Sequence, residues 1–182
     1  MSNYSRKTFL GGALACAIAA AVLTGCSKSA PISEASLKPI VEAATFYLVR
    51  HAEKELEGDD PALSKAGYER ADRLAAILST VKFEAIYSSD TRRTRDTAAP
   101  TANAANMDIK IYNPRELTDF AQEFSDKAGN YLIVGHSNTT PQLAEALGGE
   151  GGAPIIEKTE YDRLYVLTRT EGVVVTDLRR YP

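Results

Sequence analysis

Two histidines are the whole imidazole complement of this 182-residue chain, and each one follows a short apolar run. His51 sits in "FYLVRHAEK" with Arg50 beside it, and His136 sits in "LIVGHSNT". A third stretch, "YSSDTRRTRDTA", carries Arg93 just beyond another apolar run. A guanidinium binds phosphoryl oxygens through forked, charge-assisted hydrogen bonds. A neutral imidazole, with a reference pKa of about 6.5, is a competent nucleophile near neutral pH. Brought together, these groups could split phosphate-ester hydrolysis into two steps. One imidazole would attack phosphorus, while the arginines and the other imidazole stabilise the charge on the transferring group. Taken singly, each residue has a plainer reading. A lone histidine is more often structural, and Arg92, Arg93 and Arg95 could be a solvated helix face. Metal binding suits the set poorly, because arginines repel a cation and no H-E-x-x-H-like spacing occurs.

Chemistry of this kind needs elements that converge. Thr45 to Arg50, Phe83 to Ser88, Met107 to Tyr112 and Asn130 to Gly135 read as strands. Helical patterns lie between them: Ser64 to Val81, with Ser64 able to cap the start, then Arg92 to Ala105 and Leu117 to Ala128. Pro141 to Leu147 is a short helix stopped by Gly148 and Gly149. Arg163 to Thr168 and Gly172 to Leu178 read as a hairpin turning at Glu171-Gly172. This alternation predicts a three-layer α/β/α sandwich with a mainly parallel sheet. In such sheets ligands sit beyond the carboxyl ends of the strands, where His51, His136 and Arg50 fall.

The N-terminal stretch is set apart from the fold. Arg6 and Lys7 precede an apolar, Gly/Ala-rich segment ending in Leu23-Thr24-Gly25-Cys26. The run is short for a spanning helix. Leu-Thr-Gly-Cys resembles the bacterial lipobox, which implies a signal peptide over 1–25 and lipidation of Cys26. Ser5 to Leu10 resembles a twin-arginine motif with Lys7 in place of the second arginine, so both export routes stay open. Ser27 after the cysteine implies the outer membrane, facing the periplasm. Residues 26–44, rich in Ser, Ala, Pro and Lys, read as a tether to a domain over 45–182. Both cysteines, Cys16 and Cys26, precede that domain, so it holds no thiol nucleophile and no disulfide. Without Arg6 and Lys7 the chain keeps 19 basic residues against 24 acidic ones, a net charge of −5 that disfavours a nucleic-acid partner.

"LVRHAEK", "IYSSDTRRTRDTA" and "VGHSN" together resemble the three signatures of the histidine phosphatase superfamily, also called phosphoglycerate-mutase-like. "ALSKAG" resembles the family's helix start after the first motif. The resemblance implies that His51 is the phosphorylated nucleophile, Arg50 and Arg93 are phosphate ligands, and His136 completes the pocket. Ala52 stands where the family often has glycine. The general acid is expected on "NPRELTDF", with Glu116 the better match and Asp119 the alternative. Either could instead be a helix-start carboxylate, and Glu53 is a third candidate. No cofactor or metal is implied. The short connection from Asp96 to Pro114 leaves no room for a large cap insertion. An open pocket suits a phosphorylated small molecule, an envelope glycan or a phosphoprotein. Two alternatives remain: a non-catalytic envelope lipoprotein binding a phosphorylated or anionic ligand in the same pocket, and a phosphomutase.

Overall fold

The computed structural model describes residues 43–182. The signal peptide expected over 1–25, the expected lipidation site Cys26 and the expected tether up to residue 42 lie outside the described residues. The last tether residue, Ala44, opens the first strand.

Six strands form one mixed sheet in the order β3-β2-β4-β1-β5-β6. These are β1 (Ala44–Arg50), β2 (Ala85–Ser89), β3 (Ile109–Tyr112), β4 (Gly129–Gly135), β5 (Arg163–Thr170) and β6 (Val173–Arg180). The pairs β1–β4, β2–β4 and β2–β3 are parallel, and β1–β5 and β5–β6 are antiparallel. Alternation along the central strands sends side chains to two separate cores. Phe46 and Leu48 of β1 and Tyr131 and Ile133 of β4 enter one, packing against Phe120 of α3 (Leu117–Gln122) and Leu143 of α4 (Thr139–Ala146). Val49, Leu132 and Val134 enter the other, against Leu74 of α1 (Lys65–Ile77) and Ala98 and Ala102 of α2 (Arg92–Ala105). Helices thus cover both faces of the sheet, as the alternation of elements predicts.

Ser64 caps α1, its side chain accepting from the Gly67 amide at 3.2 Å. The helix ends at Ile77 rather than Val81, because the chain turns there and buries Leu78 while Val81 packs partly buried against the same core. α3 is likewise cut short at Gln122, and the turn that follows buries Phe124 among Phe46, Tyr87, Phe120 and Tyr131. The β5–β6 hairpin closes through Glu171 (φ 52) and Gly172 (φ 82), a two-residue turn with both angles positive.

Candidate active site

The register places the ends of three strands side by side. Arg50 is level with Gly135 across the β1–β4 pair, and Ser88 is level with Val134 across β2–β4. The residues that follow, His51, His136 and Ser89, therefore meet at one edge of the sheet. The rings of His51 and His136 lie 5.7 Å apart, centroid to centroid, at 69°. The close fit at the end of β4 excludes a side chain at position 135: a Cβ there would stand 2.8 Å from Tyr112 Oη and 3.0 Å from Thr139 Oγ1.

His51 is fixed from both ends. Its amide donates to the Gly135 carbonyl at 2.9 Å, and its ring Nδ1 lies 2.7 Å from the Ala52 carbonyl. A carbonyl only accepts, so Nδ1 carries the proton and Nε2 keeps its lone pair. The Ala52 amide donates in turn to Thr97 Oγ1 at 3.0 Å, which donates to the Arg93 carbonyl at 2.7 Å. Thr97 thus ties the loop after His51 to the first turns of α2. Ala52 is buried without a positive φ, so alanine serves where the family often has glycine. His136 is held by Ser89 Oγ, 2.9 Å from its Nε2, while its amide donates to Thr139 Oγ1 at 3.0 Å.

Burial, at 3% exposure, pushes His51 down from its ordinary value to about 3, and the charges of Arg50 and Arg93 and the neighbouring His136 add to the effect. His136 falls to about 4 for the same first reason, with Arg93 and Arg50 contributing. Both imidazoles are therefore neutral at physiological pH.

Arg50 is 2% exposed, and burial is also the main force lowering its pKa. Its Nη1 donates to the Glu160 carbonyl at 3.0 Å, and its Cζ lies 4.1 Å from the Tyr161 ring centroid. Arg93 faces Asp60, Nη1 to Oδ1 at 3.6 Å. That same carboxylate accepts the Arg92 amide with both oxygens at 2.9 Å and so caps α2, a role that the Thr91 side chain does not take. The Nε atoms of both Arg50 and Arg93 are buried with no partner. A buried guanidinium N–H without an acceptor is costly, and an oxyanion would satisfy it.

The three candidate acids part company. Glu53 is gripped by Arg70 through bonds of 2.8 to 3.0 Å. Burial alone would raise its pKa, but the Arg70 bonds prevail and lower it, so it is a poor proton donor. Glu116 and Asp119 line a surface pocket of about 200 Å³ with Tyr87, Ile111, Tyr112 and Phe120. Neither histidine, nor Arg50, nor Arg93, is part of that lining. Sequence reasoning missed Thr97, Ser89, Glu160 and Tyr161. Thr97 and Ser89 both stand inside the quoted second motif, whereas Glu160 and Tyr161 are on a loop without periodic pattern.

Residues 46–119 match the model of the histidine phosphatase superfamily, branch 1. The matched segment is similar to that superfamily. It contains Arg50, His51, Arg93 and Glu116, while His136 follows it. The chain is 35% identical over 95 residues to fructose-2,6-bisphosphatase TIGAR of Xenopus tropicalis, covering 47% of this chain and 34% of that protein. It spans about a third of the length of the curated relatives it matches. Among solved structures, the protein histidine phosphatase SixA in complex with tungstate superposes with a TM-score of 0.61 at 16% identity, covering 75% of this chain and 96% of the other. Phosphoglycerate mutase of Bacillus anthracis gives 0.56 at 15% identity, covering 75% and 92%. These likenesses establish a phosphoglycerate-mutase-like, histidine phosphatase fold.

Proposed function

We propose that the domain hydrolyses phosphomonoesters through a phosphohistidine on His51. The lone pair on Nε2 attacks phosphorus, the bond from phosphorus to the ester oxygen breaks, and that oxygen takes a proton. Water then attacks the phosphohistidine, releasing phosphate and restoring the imidazole. Arg50, Arg93 and His136 hold the phosphoryl oxygens, and in this reading Glu116, with Asp119 as the alternative, supplies the proton from the start of α3. The observation that carries the proposal is the pairing of two orphaned, buried guanidinium Nε atoms with a neutral imidazole whose Nδ1 is already committed to a carbonyl.

On residues 1–26 we further propose a bacterial lipoprotein, anchored through Cys26 at the cell envelope, acting on a phosphorylated small molecule, envelope glycan or phosphoprotein. Release of phosphate from a small aryl phosphomonoester tests the hydrolase reading. The full chain is expected to turn over and His51→Asn to fall to background. Binding of phosphate without turnover would show a binding protein instead, and transfer to a second substrate hydroxyl would show a mutase.

A further inference from the structure

Tyr161 lies on the loop between α4 and β5, far in sequence from all three motifs. Its ring packs against the Arg50 guanidinium, 4.1 Å from Cζ to centroid, and stands 6.2 Å from the His51 ring. The preceding residue, Glu160, accepts Arg50 Nη1 on its carbonyl. Two consecutive residues of one loop thus hold the guanidinium by a face and by an edge, leaving Nε unbonded. The loop is itself clamped from behind. Arg163 pairs with both Glu160 oxygens at 2.7 and 2.9 Å and donates to the Ala153 and Pro154 carbonyls, and Arg180 adds a contact of 2.7 Å to Glu160. Arg163 is buried, whereas Arg180 closes the clamp from the exposed side. Glu160 therefore directs its carboxylate toward the clamp and its carbonyl toward Arg50.

We propose that Tyr161 is a positioning residue for phosphate binding, its ring fixing the Arg50 guanidinium so that the unbonded Nε–H serves the phosphoryl group. This rests on Arg50 being a phosphate ligand, as argued above. An arginine side chain has many rotamers, and holding it in place before the ligand arrives removes an ordering cost from binding. A cation on an aromatic face gains most where water is excluded, as it is at Arg50.

The test is a double-mutant cycle on the full chain, reading the dissociation constant of inorganic phosphate alongside kcat/KM for an aryl phosphomonoester. Tyr161→Leu is expected to weaken phosphate binding roughly tenfold and to lower kcat/KM in parallel, while Tyr161→Phe, which keeps the ring, stays within about twofold of the parent. Tyr161→Gln repeats the comparison with a side chain of similar reach and no ring. In an Arg50→Ala background, removing the ring is expected to change phosphate binding by less than about twofold, since its partner is gone. Equal losses with and without Arg50, or a Phe variant as impaired as the Leu variant, would overturn the proposal. A parent protein that turns over while Tyr161→Leu is unaffected would sink this inference alone. A parent that neither binds nor releases phosphate would sink the phosphatase reading, and this inference with it.

Discussion

Acid should weaken this fold in a window set by its two histidines. Both imidazoles are held neutral, His51 down to about 3 and His136 to about 4, chiefly by burial. In the unfolded chain each titrates near 6.5. Between those values the unfolded state binds protons that the native state refuses, so stability falls as pH drops below about 6.5. From pH 7 to pH 5, each histidine contributes about 2 kcal/mol of lost stability, and the pair about 4 kcal/mol, at 1.36 kcal/mol per unit. Glu53 and Glu160 also have lowered pKa values, but carboxylates lose their stabilisation only as pH falls through the range below about 4.5, so the window from 6.5 to 5 belongs to the imidazoles. Urea unfolding at half-unit steps across that window measures the slope, with a His51→Gln/His136→Gln double variant as the flat control. The chain has two histidines, so two imidazole resonances report the native titration without ambiguity. Native histidines titrating near 6.5, with stability flat down to pH 5, would refute the picture of two buried, neutral rings.

Other side chains give further tests. Thr97→Val removes the acceptor of the buried Ala52 amide and should cost about 1–3 kcal/mol, with a fall in kcat because the Ala52 carbonyl orients His51; unchanged urea midpoint and kcat would contradict this. Gly135→Ala should cost about 1–3 kcal/mol through the collision with Tyr112 and the Thr139 and Thr140 hydroxyls, read as a lowered thermal midpoint. Glu171→Gly should stabilise by up to about 1 kcal/mol, because a non-glycine residue at φ 52 is relieved in an exposed turn; a lower thermal midpoint would show that Glu171 makes a contact worth more than its strain.

The short apolar runs ending in histidine were legible because parallel strands bring their carboxyl ends to one edge, and the β1–β4 pairing duly sets Arg50 against Gly135. Ser64 was legible as a cap for a local reason, since its bond to the Gly67 amide spans one turn. What lay hidden is long-range. Tyr161 and Glu160 reach Arg50 across 110 or so residues, from a loop whose position depends on ion pairs with Arg163 and Arg180. Glu53 reads as a free carboxylate close to His51 until Arg70 is seen to grip it. α1 and α3 end earlier than their apolar rhythm implies, because Leu78 and Phe124 continue that rhythm while packing from turns.

The central claim is a phosphoryl group on His51, and covalent labelling tests it most directly. The full chain would be mixed with a labelled phosphomonoester, quenched in alkali, where a phosphohistidine survives, and digested to locate the label. Label on the peptide containing His51, released by acid and absent from His51→Ala, is the predicted result. No label on the parent protein during active release of phosphate, or label that persists in His51→Ala, would contradict it.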